Sequence, residues 1–197
     1  MNITNEKFYL EVPTIGRKND AIDFIKEFFK YDSNIYGAGS LKRYVDDYEG
    51  WLKKLEEDYT KPVTEETVPV RTYFLVRNID NKIIGMNNIR LALNKKLERY
   101  GGHIGYCIRP TERGKGYNNL NLYLALKVCN EYGIKSALLD ADIENTASWK
   151  TMEQLGGVRI KEFYDDEFAH RFIVFYTIDV KNALEKHSDY EALIINK

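Results

Sequence analysis

The sequence predicts an α/β protein of the α+β kind: a mixed, mostly antiparallel sheet of six to seven strands flanked by about four helices. Three observations predict it. Short β-rich runs follow one another around tight turns, most plainly from Val70 to Leu93 about a turn near Asp80-Asn81. Runs with apolar residues at helical spacing lie between them. Glycines at 133 and 156–157 stop helices just before new β-rich runs begin. With 197 residues, 44% of them hydrophobic, the chain suits one well-buried domain over 1–197, with a peripheral C-terminal tail from about 179.

The first strand is Lys7 to Pro13, ended by the proline. Asn19 or Asp20 can then cap a helix whose apolar residues are Ile22, Ile25, Phe28 and Phe29. A second helix is expected between Ser40 and Tyr59, where Leu41, Tyr44, Val45, Tyr48, Trp51, Leu52 and Leu55 recur at helical spacing. That aromatic stripe reads as core, or as the wall of a substrate cleft. Lys61 to Pro69, with prolines at 62 and 69, is a candidate loop. The hairpin follows, and then a strand in which His103, Gly105 and Cys107 alternate with Ile104, Tyr106 and Ile108 before Pro110 stops it. A long helix runs from about Gly116 to Tyr132, with Gly133 as a left-handed cap. Lys135 to Asp142 is a short buried strand, Asn145 caps the next helix, and two strands close the pattern at 158–164 and 170–178.

Composition narrows the function classes. Lysine and arginine number 29 against 30 aspartates and glutamates, a net charge of -1, so no global basic field points to nucleic acid or an anionic membrane. Any anion site must be local. The two cysteines, Cys107 and Cys129, sit in apolar stretches, and no Cys/His spacing suggests a disulfide framework or a metal site. The N-terminus has no charged segment leading into an apolar one and no run reaches membrane-spanning length, which predicts a soluble, cytoplasmic protein.

The local site is Glu112 to Asn119, which packs two glycines and two cations directly before an apolar helical run. Glycine lets a backbone approach a ligand, and a helix start offers unpaired N–H donors and a dipole that favours an anion. An ordinary loop-to-helix junction has the same look. A Walker A loop is absent, and Gly114-x-Gly116 lacks the third glycine of a dinucleotide fingerprint. A pyrophosphate at this turn would accept N–H groups from Arg113, Gly114, Lys115, Gly116, Tyr117 and Asn118, with Arg113 and Lys115 adding positive charge.

Strand, Pro110, glycine turn, long helix, strand, Asn145-capped helix, strand, strand: this order resembles the GCN5-related N-acetyltransferase (GNAT) family. The family's turn, Gln/Arg-x-x-Gly-x-Gly/Ala, maps onto Arg113, Gly116 and Asn118, and the last position departs from it. The stretch is most similar to a bacterial subgroup of uncharacterised acetyltransferases, through Gly101 to Tyr106, Arg109-Pro110 and Glu112 to Tyr117. The resemblance implies a sheet splayed between the strand ending at Pro110 and the strand beginning near Lys135. It also implies acetyl-CoA as co-substrate without a metal, and acetyl transfer to a primary amine by direct attack in a ternary complex. The acceptor would be a small molecule or peptide, and the protein a monomer or homodimer. The main chains of Cys107 and Ile108 would hold the pantetheine and polarise the thioester. Asn145, and then Ser148, would touch the pantetheine arm.

An amine with a pKa near 10 needs its proton removed. His103 is the first candidate base, with an unperturbed pKa suited to the task; a structural histidine beside two glycines is the competing reading. Asp140 and Asp142 lie at the end of the buried strand, and Asp142 is the second candidate, unless it only caps the helix that follows. Asn88 and Arg90 share one face of the hairpin and can orient a substrate carboxylate; a plain surface face would look the same. Met152 stands where many relatives carry a tyrosine acid, a tolerable loss for a thiolate leaving group. A non-catalytic acyl-CoA-binding or regulatory module of the same fold is the alternative, motivated by Asn118 and Met152.

Overall fold

The computed structural model describes residues 6–166 and 170–195. Strand β1 (Phe8–Glu11) lies at one edge of a four-stranded sheet with β2 (Val70–Arg77), β3 (Lys82–Arg90) and β4 (Ile104–Ile108), in the order β1-β2-β3-β4. A second sheet holds β5 (Ser136–Asp142), β6 (Val158–Asp165) and β7 (Arg171–Asp179), in the order β5-β7-β6. Every ladder is antiparallel, and one parallel bridge, Phe8 to Ile194, joins β1 to the C-terminal segment. The mixed, mostly antiparallel α/β architecture expected from the sequence is the one found, with seven strands among the described residues.

Helix α1 (Lys18–Lys30) buries Ala21, Phe24, Ile25 and Phe28, and α2 (Tyr48–Tyr59) buries Tyr48 and Trp51, against Phe74, Met86 and Cys107 on one face of the first sheet. The aromatic stripe is therefore largely core: Tyr48 and Trp51 are fully enclosed. Helix α4 (Tyr117–Glu131), the long helix, and α5 (Thr146–Gln154) cover the opposite side, where Leu122, Leu126, Leu139, Met152 and Tyr176 pack together.

Two elements differ from expectation. The single helix predicted from Ser40 to Tyr59 is broken into a 3-10 turn at Leu41–Arg43 and α2, because the Asp47 side chain takes the Gly50 N–H at 2.9 Å and starts the helix there. Leu41, Tyr44 and Val45 still reach the same core, which is why their spacing looked continuous. A short helix, α3 (Lys95–Arg99), capped by Asn94, occupies a stretch with no apolar period. After β7, α6 (Val180–Lys186) packs on α4, and Glu191 receives Tyr123 Oη at 2.8 Å and Lys127 Nζ at 2.7 Å. No described helix is long and apolar enough to cross a membrane.

One main-chain hydrogen bond among the described residues joins the two sheets. His103 N–H donates to the Leu138 carbonyl at 2.6 Å, and Gly102 lies so close that a Cβ would come within 2.3 Å of the same oxygen. Beyond this joint β4 and β5 form no ladder, and the strand ending at Pro110 parts from the strand after Lys135 as expected.

Candidate active site

The parting strands open a cleft of about 1380 Å³. Its lining includes the 113–118 turn, β4, the end of β5, the first turns of α5 and the loop after α1. Gly114 and Gly116 both have positive φ, 76° and 79°, and Gly116 is the left-handed residue from which α4 starts. Among the described residues the N–H groups of Gly114, Lys115, Gly116, Tyr117 and Asn118 meet no acceptor. A Cβ built on Gly114 would meet nothing within 4 Å. Five unpaired donors around open space at a helix start can cradle an anion.

The cations of the turn are disposed differently from expectation. Arg113 turns inward: Nε donates to the Ile108 carbonyl at 3.2 Å, Nη2 to Ser33 Oγ at 2.8 Å, and the guanidinium lies over the Phe28 ring. Lys115 folds back onto Glu112 at 2.7 Å. Glu112 is buried, and it also receives Arg77 and Lys82, each at 3.0 Å. Burial alone would raise its pKa, but Lys115, Lys82 and Arg77 together hold it down to about 2. Its partners Arg77 and Lys82 lie in the hairpin, about thirty residues upstream, and nothing in the sequence pairs them with it. Asn118, the departure from the family pattern, sends its Nδ2 to Thr151 Oγ1 at 3.1 Å, so the side chain bridges α4 to α5 and leaves its own N–H on the turn.

Alternation along β4 decides which main-chain groups face the cleft. Arg90 N–H donates to the His103 carbonyl at 2.7 Å and Arg109 N–H to the Ile84 carbonyl at 2.8 Å. With Gly105 opposite Asn88 and Cys107 opposite Met86, residues 103, 105, 107 and 109 belong to the β3 ladder. Ile104, Tyr106 and Ile108 turn their N–H and C=O groups to the other edge. The expectation that Cys107 offers its main chain to a ligand is corrected on this ground; Tyr106 takes its place beside Ile108. The Cys107 side chain packs into the α1–α2 core, and burial pushes its thiol up to about 12.

His103 does not line the cleft. Its Nδ1 accepts the Leu138 N–H at 3.0 Å, and burial with the nearby Arg90 pushes its pKa down to about 4. The ring is neutral with its proton on Nε2, and the Nδ1 lone pair is taken. Asp142 lines the cleft, with Oδ1 accepting the Glu144 N–H at 3.0 Å and Oδ2 lying 3.0 Å from Arg171 Nε. Asp140, two residues earlier on the same strand face, also lines it. One of its oxygens takes the Gly101 N–H at 3.0 Å, and apart from its own main-chain N–H no other described residue donates to the carboxylate. Burial raises its pKa against the opposing pull of that hydrogen bond and of Arg90. The strand end pointed to both aspartates; Asp142 is tied to Arg171, whereas Asp140 forms no ion pair within contact distance among the described residues.

Asn145 caps α5, accepting the Ser148 N–H at 3.3 Å, and the Ser148 hydroxyl lies 3.1 Å from Tyr106 Oη. Both residues line the cleft. Met152 is wholly enclosed in the core between α4 and α5 and offers no acid. Arg90 borders the cleft and also a second cavity of about 260 Å³, which Asn88 lines. Asn88 Nδ2 is spent on Thr72 Oγ1 at 2.9 Å. Among the described residues no cluster of three or more His, Cys, Asp or Glu side chains could hold a metal.

Residues 17–158 match the family model of the acetyltransferase (GNAT) domain. Among curated proteins none matches the sequence. Solved structures with the same fold include a dodecameric spermidine N-acetyltransferase from Vibrio cholerae, 14% identical, with a TM-score of 0.65 over 91% of this chain and 98% of that one. Another is Mycobacterium smegmatis RimJ in complex with CoA-disulfide, 13% identical, with a TM-score of 0.64 over 91% of this chain and 88% of that one.

Proposed function

The chain belongs to the GNAT acetyltransferase family, and from that premise we propose that it transfers the acetyl group of acetyl-CoA to a primary amine by direct attack in a ternary complex. The observation that carries this reading is the row of five unpaired N–H groups from Gly114 to Asn118, opening on the same cleft as the Asp140 carboxylate. The pyrophosphate would take the N–H row, with the pantetheine arm running along the outward main chain of Tyr106 and Ile108 past Asn145 and Ser148. The Ile108 carbonyl is held by Arg113, which leaves its N–H to polarise the thioester oxygen.

In the reaction the amine nitrogen forms a bond to the acetyl carbon, the carbon–sulfur bond breaks, and the amine's proton passes to Asp140 directly or through one water. Burial fits Asp140 to this role, because a carboxylate with a raised pKa is a stronger base than an ordinary one. The thiolate leaves without a protein acid, as its pKa near 8.5 permits. A second reading, a non-catalytic acyl-CoA-binding module, draws on the enclosed Met152. Thiol release from acetyl-CoA over a panel of amines separates the two. Calorimetric binding of acetyl-CoA without release for any amine would leave only the binding module.

A further inference from the structure

Arg90 is set deep enough for burial to lower its pKa, yet only Nη1 is spoken for, by the Gly101 and Gly102 carbonyls at 2.8 and 3.0 Å. Nε and Nη2 donate to no described residue, although the side chain borders both cavities. The side chain is half-buried with Asp140 close enough to pull on its charge, and its idle donors are open to the cavities, where a ligand acceptor can meet them. The second cavity on which it opens is lined by Lys42, Arg43 and Lys54 as well, four cations against the one carboxylate of Asp58. Lys54 is tied to Asp58, whereas Lys42 and Arg43 are exposed and form no ion pair among the described residues. The chain as a whole is near neutral, so this is a local concentration of positive charge.

Geometry ties this cavity to the reacting end of the cleft. Gly37 lines both, and a Cβ on it would lie 2.1 Å from Tyr106 N, so the loop after α1 presses against the β4 backbone between them. Asp140 and Arg90 grip the N–H and the C=O of the same residue, Gly101. They are thus separated by about one residue length, ~3.5 Å, with a hydrogen bond of about 3 Å at each end. A small molecule can touch both.

We propose that the acceptor amine carries a carboxylate, that this carboxylate docks on Arg90 in the second cavity with Lys42 and Arg43 at its rim, and that the amine is thereby delivered to Asp140. The inference rests on the transferase reading and names its substrate class: short amino acids rather than polyamines. Spermidine, after which the Vibrio cholerae enzyme of the same fold is named, would set a second ammonium against four cations. A carboxylate pairs with the guanidinium in a bidentate fork.

The test is a thiol-release assay with acetyl-CoA on matched acceptors: α- and β-amino acids, their primary amides, and spermidine. The free acids are expected to exceed their amides in kcat/KM by about tenfold or more, since a site built for a polar group penalises its absence. Lys42→Glu with Arg43→Glu, both exposed and outside the core, should lower kcat/KM for the acids about tenfold and narrow the gap to the amides. Arg90→Gln should remove the preference, and thermal melting shows whether that variant keeps its fold. Equal use of acids and amides, or spermidine as the best acceptor, overturns this inference and leaves the transferase reading standing. No release from any acceptor overturns both.

Discussion

The Leu138 N–H donates to His103 Nδ1 at 3.0 Å, so the lone pair that a base would use is engaged in joining the two sheets. Under the proposed reaction, proton removal then falls to Asp140. Asp140→Asn is expected to lower kcat about a hundredfold or more and to leave acetyl-CoA affinity nearly unchanged, the mark of a lost transition-state role. Because burial penalises the charged form, the same change should leave thermal stability equal or higher. The acidic limb of the pH–rate profile should lie above the ordinary aspartate value of 3.8, since the base must be deprotonated and its pKa is raised. His103→Gln should keep that limb. A variant Asp140→Asn with the parent's rate would remove Asp140 from the chemistry.

His103 itself should show in stability. Its folded pKa, about 4, lies below the ordinary 6.5, so the unfolded chain binds the extra proton first. The contribution is complete above 6.5 and declines as pH falls from 6.5 toward 4. Urea unfolding across that window should show a steeper acid loss in the parent than in His103→Gln, and parallel curves would refute the shift.

Glu112 works at lower pH. Its folded pKa is depressed from 4.5 to about 2, so the stability it supplies is complete above 4.5 and lost as pH falls toward 2. Glu112→Gln should destabilise at neutral pH by about 3 to 5 kcal/mol at most, the range for stranding one side of a buried ion pair. The partial exposure of Lys82 and Lys115 reduces that figure. The gap between the two proteins should close as pH drops to 3 and below. A gap constant with pH would mean that the cluster does not depend on the charge.

The glycine turn yields a paired comparison. Gly116→Val puts a branched side chain at φ 79° beside the cradle, and acetyl-CoA affinity by calorimetry should fall strongly. Asn118→Ala should change affinity only a few-fold, because that side chain faces Thr151, and should cost about 1 kcal/mol for the lost hydrogen bond. Strong loss of binding in Asn118→Ala would place the side chain on the ligand.

Gly37 tests the wall between the two cavities. With a Cβ 2.1 Å from Tyr106 N and φ at 64°, Gly37→Ala must move the loop, and the acceptor KM should rise more than that of acetyl-CoA. Equal effects on both constants would argue against a boundary role.

Much of this protein is written locally in its sequence, and those parts emerged as read. The hairpin turn at Asp80-Asn81, the helix stops at Gly133 and Gly156, the Asn145 cap and the glycine turn at the start of α4 each depend on residues a few positions apart. The tertiary structure decided what depends on residues distant in the chain. The register of β4 against β3 placed the Cys107 main chain in a ladder and that of Tyr106 on the cleft edge, a difference of one residue. Packing turned Asn118 toward Thr151, buried Met152, gathered Arg77 and Lys82 onto Glu112, and occupied the His103 lone pair that its residue type alone left open. Local spacing fixes backbone geometry because turns and caps are satisfied by near neighbours. The charge state and free valence of a side chain depend on burial and on partners that only the folded chain brings within hydrogen-bond distance.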